Sequence, residues 1–148
     1  MKIISSCLLG INCRFDGKVK LYSEILDLTK EEKLVPVCPE QLGGLPTPRI
    51  PQEIQGCSGE DVLDGKGKVL NKKGEDVTLN FIKGAEEVLK IARMFNVSEF
   101  IGKARSPSCG YGEIYDGSFS NKLIKGNGVT AALLKRNGIK ITTEENYK

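Results

Sequence analysis

The sequence predicts a compact three-layer, Rossmann-like α/β domain with a largely parallel sheet and one or two β-hairpin insertions. Three observations predict it. Short apolar runs alternate with amphipathic stretches along the chain, the pattern of strands joined by helical crossovers. Within the first run Ile3 and Ile4 are adjacent instead of alternating with polar residues, as in a strand covered on both faces. The 148 residues are one domain's worth, with no internal repeat and no second domain, and can bury roughly 70% of the surface the unfolded chain exposes.

The elements follow in order. Lys2–Ser5 is the first strand, and Gly10 and Asp16-Gly17 mark turns after it. Tyr22 to about Lys33 reads as a helix, with Ser23 as its cap and Tyr22, Ile25, Leu26 and Leu28 as its apolar side. Leu34–Cys38 is the next strand, placed at an edge because Pro36 has no N–H to donate. Gln41–Pro51, with two glycines and three prolines, is expected to be a stiff irregular loop. Asp61–Val69 reads as a hairpin turning at Asp64-Gly65-Lys66-Gly67. Phe81, Ala85, Val88, Leu89, Ala92 and Phe95 recur at helical spacing, so Val77–Phe95 is the strongest helix, capped by Asp76 or Thr78. Glu99–Lys103 is a strand, Ile114–Ile124 a second hairpin, Val129–Arg136 a helix closed by Asn137-Gly138, and Ile139–Thr142 the last strand. The final six residues are expected to be solvent-exposed.

Composition narrows the chemistry. The net charge is only +3 and the lysines are dispersed, so no nucleic-acid footprint is expected. No signal h-region or run of ~20 apolar residues occurs, so no membrane partner and a cytoplasmic location are expected, where thiols stay reduced. The five cysteines cannot all pair internally. The chain has no histidine, which removes Ser-His and Cys-His nucleophile pairs and His-ligated zinc. Catalysis must then rest on carboxylates, lysine, thiols, hydroxyls or a bound metal.

Cys7, Cys38 and Cys109 each follow a different expected strand. In a parallel sheet those positions share one edge, where open α/β sheets bind ligands. Three thiolates on that edge suit a soft metal or an iron–sulfur cluster with one position open; equally, each cysteine can be a small core residue. Glu40 stands two residues after Cys38 as a candidate acid or base. The loop Lys103-Ala-Arg-Ser-Pro-Ser-Cys109 carries the cation Lys103 and two hydroxyls, Ser106 and Ser108, that either hydrogen-bond a substrate or cap a turn, and Arg49 can point into the site from its loop. Cys13 reads as a further ligand, a resolving thiol or a buried loop residue, and Cys57 as incidental. Gly126-Asn-Gly128 precedes a helix and offers N–H groups to an anion, without the full dinucleotide pattern.

Together Ser6-Cys7-Leu-Leu-Gly10, Cys13-Arg-Phe-Asp-Gly17, Val37-Cys-Pro-Glu40, Gly43-Gly-Leu-Pro46, Lys103-x-x-Ser106-Pro-Ser-Cys109-Gly110 and Gly126-x-Gly-Val-Thr-Ala-Ala-Leu-Leu134 resemble the 2-thiouracil desulfurase family, formerly a domain of unknown function, over almost the full length. The resemblance implies one α/β domain, residues 1–148, carrying a 4Fe–4S cluster held by Cys7, Cys38 and Cys109. It implies an iron without protein ligand that takes sulfur from a thiolated nucleobase such as 2-thiouracil, a small-molecule substrate. Glu40 matches the catalytic carboxylate, acting as general base on water, and Ser106 the neighbouring polar residue. Arg49, Lys103 and Ser108 are expected to bind substrate, and Cys13 stays outside the ligand set. Two other readings stand beside this one. The first is a thiol-based sulfur carrier or redox sensor without a catalytic cluster; the second is a module that binds a metabolite without turnover.

Overall fold

The computed structural model describes residues 1–148. Four parallel strands form the central sheet: β1 (Lys2–Ser5), β2 (Leu34–Val37), β5 (Glu99–Gly102) and β8 (Lys140–Thr143), in spatial order β2-β1-β5-β8. β2 is an edge strand, as its proline requires, with Pro36 opposite Ile4 in the register. Both faces are covered. Ile3 and Phe100 face one way with α4 (Thr78–Met94) and α5 (Val129–Arg136), packing on Val88, Leu89, Ala131 and Leu134. Ile4 and Ile101 face the other way, against Leu8 and against Ile25 of α1 (Ser23–Leu28). Adjacent strand residues on opposite faces are what turns paired isoleucines into two cores. No helix is long and apolar enough to cross a membrane.

A third cluster lies beside the sheet. There β3 (Gln52–Ile54) pairs antiparallel with β4 (Val69–Asn71), and Ile54, Val62, Val69, Phe81 and Ile114 pack together. The expected hairpin at residues 64–67 is not formed. Asp61–Leu63 belong to α3 (Gly59–Leu63), and Val69 pairs instead with Ile54. The reason is local: Ser58 and Asp61 form a reciprocal capping box, Ser58 Oγ accepting from Asp61 N and Asp61 Oδ2 accepting from Ser58 N. Asp64-Gly65 then closes that helix, with Gly65 left-handed at φ 76°. The second expected hairpin is present: β6 (Glu113–Tyr115) pairs with β7 (Leu123–Lys125), Ile114 opposite Ile124.

Other boundaries moved for physical reasons. The first helix stops at Leu28 because the polar run Thr29–Lys33 has no apolar face to bury; Ser23 is its first helical residue, not its cap. The Gln41–Pro51 loop begins later than expected, since Pro39–Leu42 forms the short helix α2 with Pro39 in its first turn. For α4, Asp76 Oδ1 accepts from Thr78 N at 2.9 Å, and Asn96 closes the far end at φ 51°. α2 lies directly on α4 through two glycines. A Cβ on Gly84 would lie 2.8 Å from the Pro39 carbonyl carbon, and one on Gly43 would lie 2.9 Å from that of Asn80. Asn80 Nδ2 donates to the Gly43 carbonyl at 2.9 Å across this seam.

Candidate functional site

The carboxyl ends of three of the parallel strands, β1, β2 and β5, open onto one cavity of about 580 Å³. After β1 the chain makes a 3-10 turn, Ser6–Leu9, which carries Cys7 and ends at left-handed Gly10. After β2, Cys38 caps α2 in extended conformation, and Glu40 falls in the first turn. After β5 comes the loop 103–109. Ser106 Oγ accepts from Ser108 N at 3.2 Å and from Cys109 N at 3.1 Å, folding the Ser-Pro-Ser-Cys segment back on itself.

The first N–H groups of α5 do not face a ligand. Val129 N donates to Pro107 O, and Thr130 N and Ala131 N donate to Ser108 O, at 2.9 to 3.1 Å. Gly128 N donates to Gly110 O at 2.8 Å. The anion reading of the Gly126–Gly128 loop is therefore corrected: its donors and the helix's positive end hold the cysteine loop in place. Gly128 is obligatory there, because a Cβ would meet the Ser108 carbonyl carbon at 2.5 Å.

Cys7, Cys13, Cys38 and Cys109 all line the cavity, as do Glu40, Arg49, Lys103 and Ser106. Ser108 is buried behind the wall, its Oγ 3.0 Å from Glu40 Oε2 and 3.6 Å from Cys109 Sγ. Arg49 Nε donates to the other carboxylate oxygen, Oε1, at 3.1 Å. Lys103 Nζ is held by Glu144 Oε1 at 3.0 Å. The same carboxylate accepts from Ala104 N through Oε2 at 2.8 Å, and Glu145 pairs with Arg105. The expectation of six exposed final residues holds for Glu145, Asn146 and Lys148 but not for buried Thr143 or half-buried Glu144, and the segment after β8 straps the backbone of the 103–109 loop. Cys57 does not line this cavity and packs half-buried against the Ile54–Phe81 cluster.

The thiols differ in protonation. The neighbouring Cys13 side chain holds Cys7 below the ordinary thiol value and draws Cys38 down to about 7, against the opposing effect of burial. Cys13 is correspondingly raised and keeps its proton. Burial pushes Cys109 up to about 12, partly offset by hydrogen bonds to Ser5 and Ser108. No three His, Cys, Asp or Glu side chains close around a single ion. The thiols border a wider space, and with soft donors and no imidazole this set fits a polynuclear iron–sulfur group.

A family model described as 2-thiouracil desulfurase matches residues 3–146. The chain belongs to the 2-thiouracil desulfurase family. Among its relatives, the Uncharacterized protein YbbK of Bacillus subtilis (strain 168) is 50% identical over 144 residues, covering 97% of this chain and 95% of YbbK. A solved structure of a 4Fe–4S-dependent thiouracil desulfidase, TudS, is 38% identical and superposes with a TM-score of 0.86, covering 99% of this chain and 91% of that one. The 2-thiouracil desulfurase fold thus carries the mixed α/β architecture read from the strand pattern. Two contributors to the site gave little sequence signal. Glu144 is one acidic residue in a polar tail, and only the β5–β8 pairing brings it to Lys103. The Gly43–Gly84 seam joins glycines 41 positions apart, and no local pattern marks it.

Proposed function

We propose that this chain is an iron–sulfur-dependent desulfurase that hydrolyses the thiocarbonyl of a small thiolated pyrimidine such as 2-thiouracil. The whole chain serves as its one catalytic domain, working in a reducing cytoplasm. The observation that carries the reading is the meeting of Cys7, Cys38 and Cys109, from three strand-end loops, around one cavity that Glu40 also lines. The overall change is C=S plus water to C=O plus hydrogen sulfide, with no net redox change.

Cys7, Cys38 and Cys109 would hold a 4Fe–4S cluster through three of its irons. When bound, that group supplies a Lewis-acidic iron free of protein ligands that accepts sulfur. Glu40, with each oxygen holding one protein hydrogen bond, retains lone pairs for a water molecule and takes its proton as that water attacks the thiocarbonyl carbon. Lys103, held by Glu144 at the cavity wall, stabilises negative charge developing on the substrate. Ser106 orders the loop through its hydroxyl and lines the cavity beside the substrate. At about 580 Å³ the cavity has the size of a small-molecule site, not of a groove for a polymer.

Anaerobic reconstitution of the purified chain, followed by sulfide release from a panel of thiolated pyrimidines and nucleosides, tests the proposal. The expected result is iron and acid-labile sulfide at about four each per chain, with turnover of at least one panel member. A fully loaded protein that binds these compounds but releases no sulfide would leave a binding module in place of the enzyme.

A further inference from the structure

The geometry points to Arg49 as a positioning residue that fixes the direction of the Glu40 carboxylate, an inference that rests on the desulfurase reading above. Arg49 donates from Nε to Glu40 Oε1 at 3.1 Å and from Nη2 to the Cys13 carbonyl at 3.0 Å. Its Nη1 donates to the Pro46 carbonyl at 3.1 Å and to Thr47 Oγ1 at 3.2 Å. Four of its five N–H groups are therefore engaged by the protein. The side chain is 5% exposed and that of Glu40 is 13% exposed. A substrate-binding arginine would present a fork of open donors to the cavity; this one has a single N–H left.

The wider arrangement explains why an arginine stands here. Its backbone N–H donates to the Phe15 carbonyl at 2.7 Å. One residue thus ties the Cys13–Phe15 segment and the Pro46-Thr47 turn to the carboxylate. Ser108 Oγ, from the third loop, grips the other oxygen at 3.0 Å. With one partner on each oxygen the carboxylate plane is fixed, and its remaining lone pairs are left for water. A lysine keeps the charge but is a point donor on a flexible stem, and cannot span Glu40 and the Cys13 carbonyl in one planar fork.

Anaerobically reconstituted full-length wild type, Arg49→Lys, Arg49→Met and Glu40→Gln test this with two readouts. The first is isotope-edited infrared spectroscopy of protein carrying labelled glutamate, in which the carboxylate band lost in Glu40→Gln reports Glu40. The second is steady-state sulfide release from a thiolated pyrimidine. In Arg49→Lys the Glu40 band is expected to shift. There kcat should fall about 10- to 100-fold, with KM within about threefold of wild type. Arg49→Met should fall further, so that lysine is a partial rescue. An unmoved band with unchanged kcat in Arg49→Lys overturns the assignment, and a change confined to KM would make Arg49 a substrate contact instead. If Arg49→Met does not fold, Arg49→Lys decides alone. A wild-type protein releasing no sulfide from any thiolated pyrimidine defeats the desulfurase reading, and the infrared comparison still judges Arg49.

Discussion

Gly84→Ala, at a position far from any thiol in sequence, is expected to damage activity more than stability. The added Cβ would lie 2.8 Å from the Pro39 carbonyl carbon and 3.3 Å from Gly43 N, and nearer still to the Pro39 oxygen. Relieving the carbon contact alone needs α2 to retreat about 0.6 Å, the gap between 2.8 Å and the 3.4 Å where ordinary contact begins, and clearing the nearer oxygen needs more than 1 Å. Pro39 lies between Cys38 and Glu40, so both move with it. Alanine in mid-helix gains about 1 kcal/mol in propensity, while overpacking costs about 1–3 kcal/mol, leaving a net loss near 0–2 kcal/mol. The protein should fold, because such a loss is a fraction of the about 5–15 kcal/mol holding a domain together. A displacement near 1 Å at a catalytic group costs on the order of 10²-fold, so kcat/KM for sulfide release should drop by about that factor. The assay is steady-state sulfide release per bound iron, beside thermal unfolding of the same sample. Wild-type kcat/KM in a normally loaded Gly84→Ala protein would refute the claim that this seam sets the carboxylate.

Other expected outcomes are simpler. Cys7→Ser, Cys38→Ser and Cys109→Ser should each lose most reconstituted iron and its visible absorbance, whereas Cys13→Ser and Cys57→Ser should retain it; iron analysis checks all five. Glu144→Ala removes the acceptor for Lys103 Nζ and Ala104 N. It should cost about 2 kcal/mol in denaturant unfolding and lower turnover, while leaving iron content intact. Ser58→Ala removes the capping box of α3 and should cost about 1 kcal/mol with no change in turnover. In cluster-free protein, Cys38, with its thiol drawn down to about 7, should alkylate as thiolate already near neutral pH, its rate halving as pH falls through that value. Buried Cys109, raised to about 12, should resist, as peptide mapping after timed labelling would show.

Elements that announce themselves locally were readable: the isoleucine pair of β1, the proline on an edge strand, and the periodic apolar face of α4 all formed as expected. Cys7, Cys38, Glu40 and Cys109 could be gathered on one edge because parallel strands leave little choice about where their ends lie. What failed was competition between local signals. Asp64-Gly65 fits a hairpin turn and a helix end equally well, and the capping pair Ser58–Asp61 decided between them. Ser108 and Arg49 looked like open donors in sequence, yet both are turned onto Glu40, because burial there demands partners. Glu144 was hidden for a different reason: its partner lies 41 residues away, and only tertiary pairing creates the contact.

That pairing also makes the two ends of the polypeptide unequal. Met1 leads into the amino end of β1, opposite the carboxyl end that bears Cys7, whereas the residues after Thr143 are moored to Lys103, Ala104 and Arg105. Anything that tugs on Lys148, such as a fused domain, a surface tether or a trimming protease, pulls on the loop that bears Cys109. The same load applied at Met1 falls on the opposite rim of the sheet.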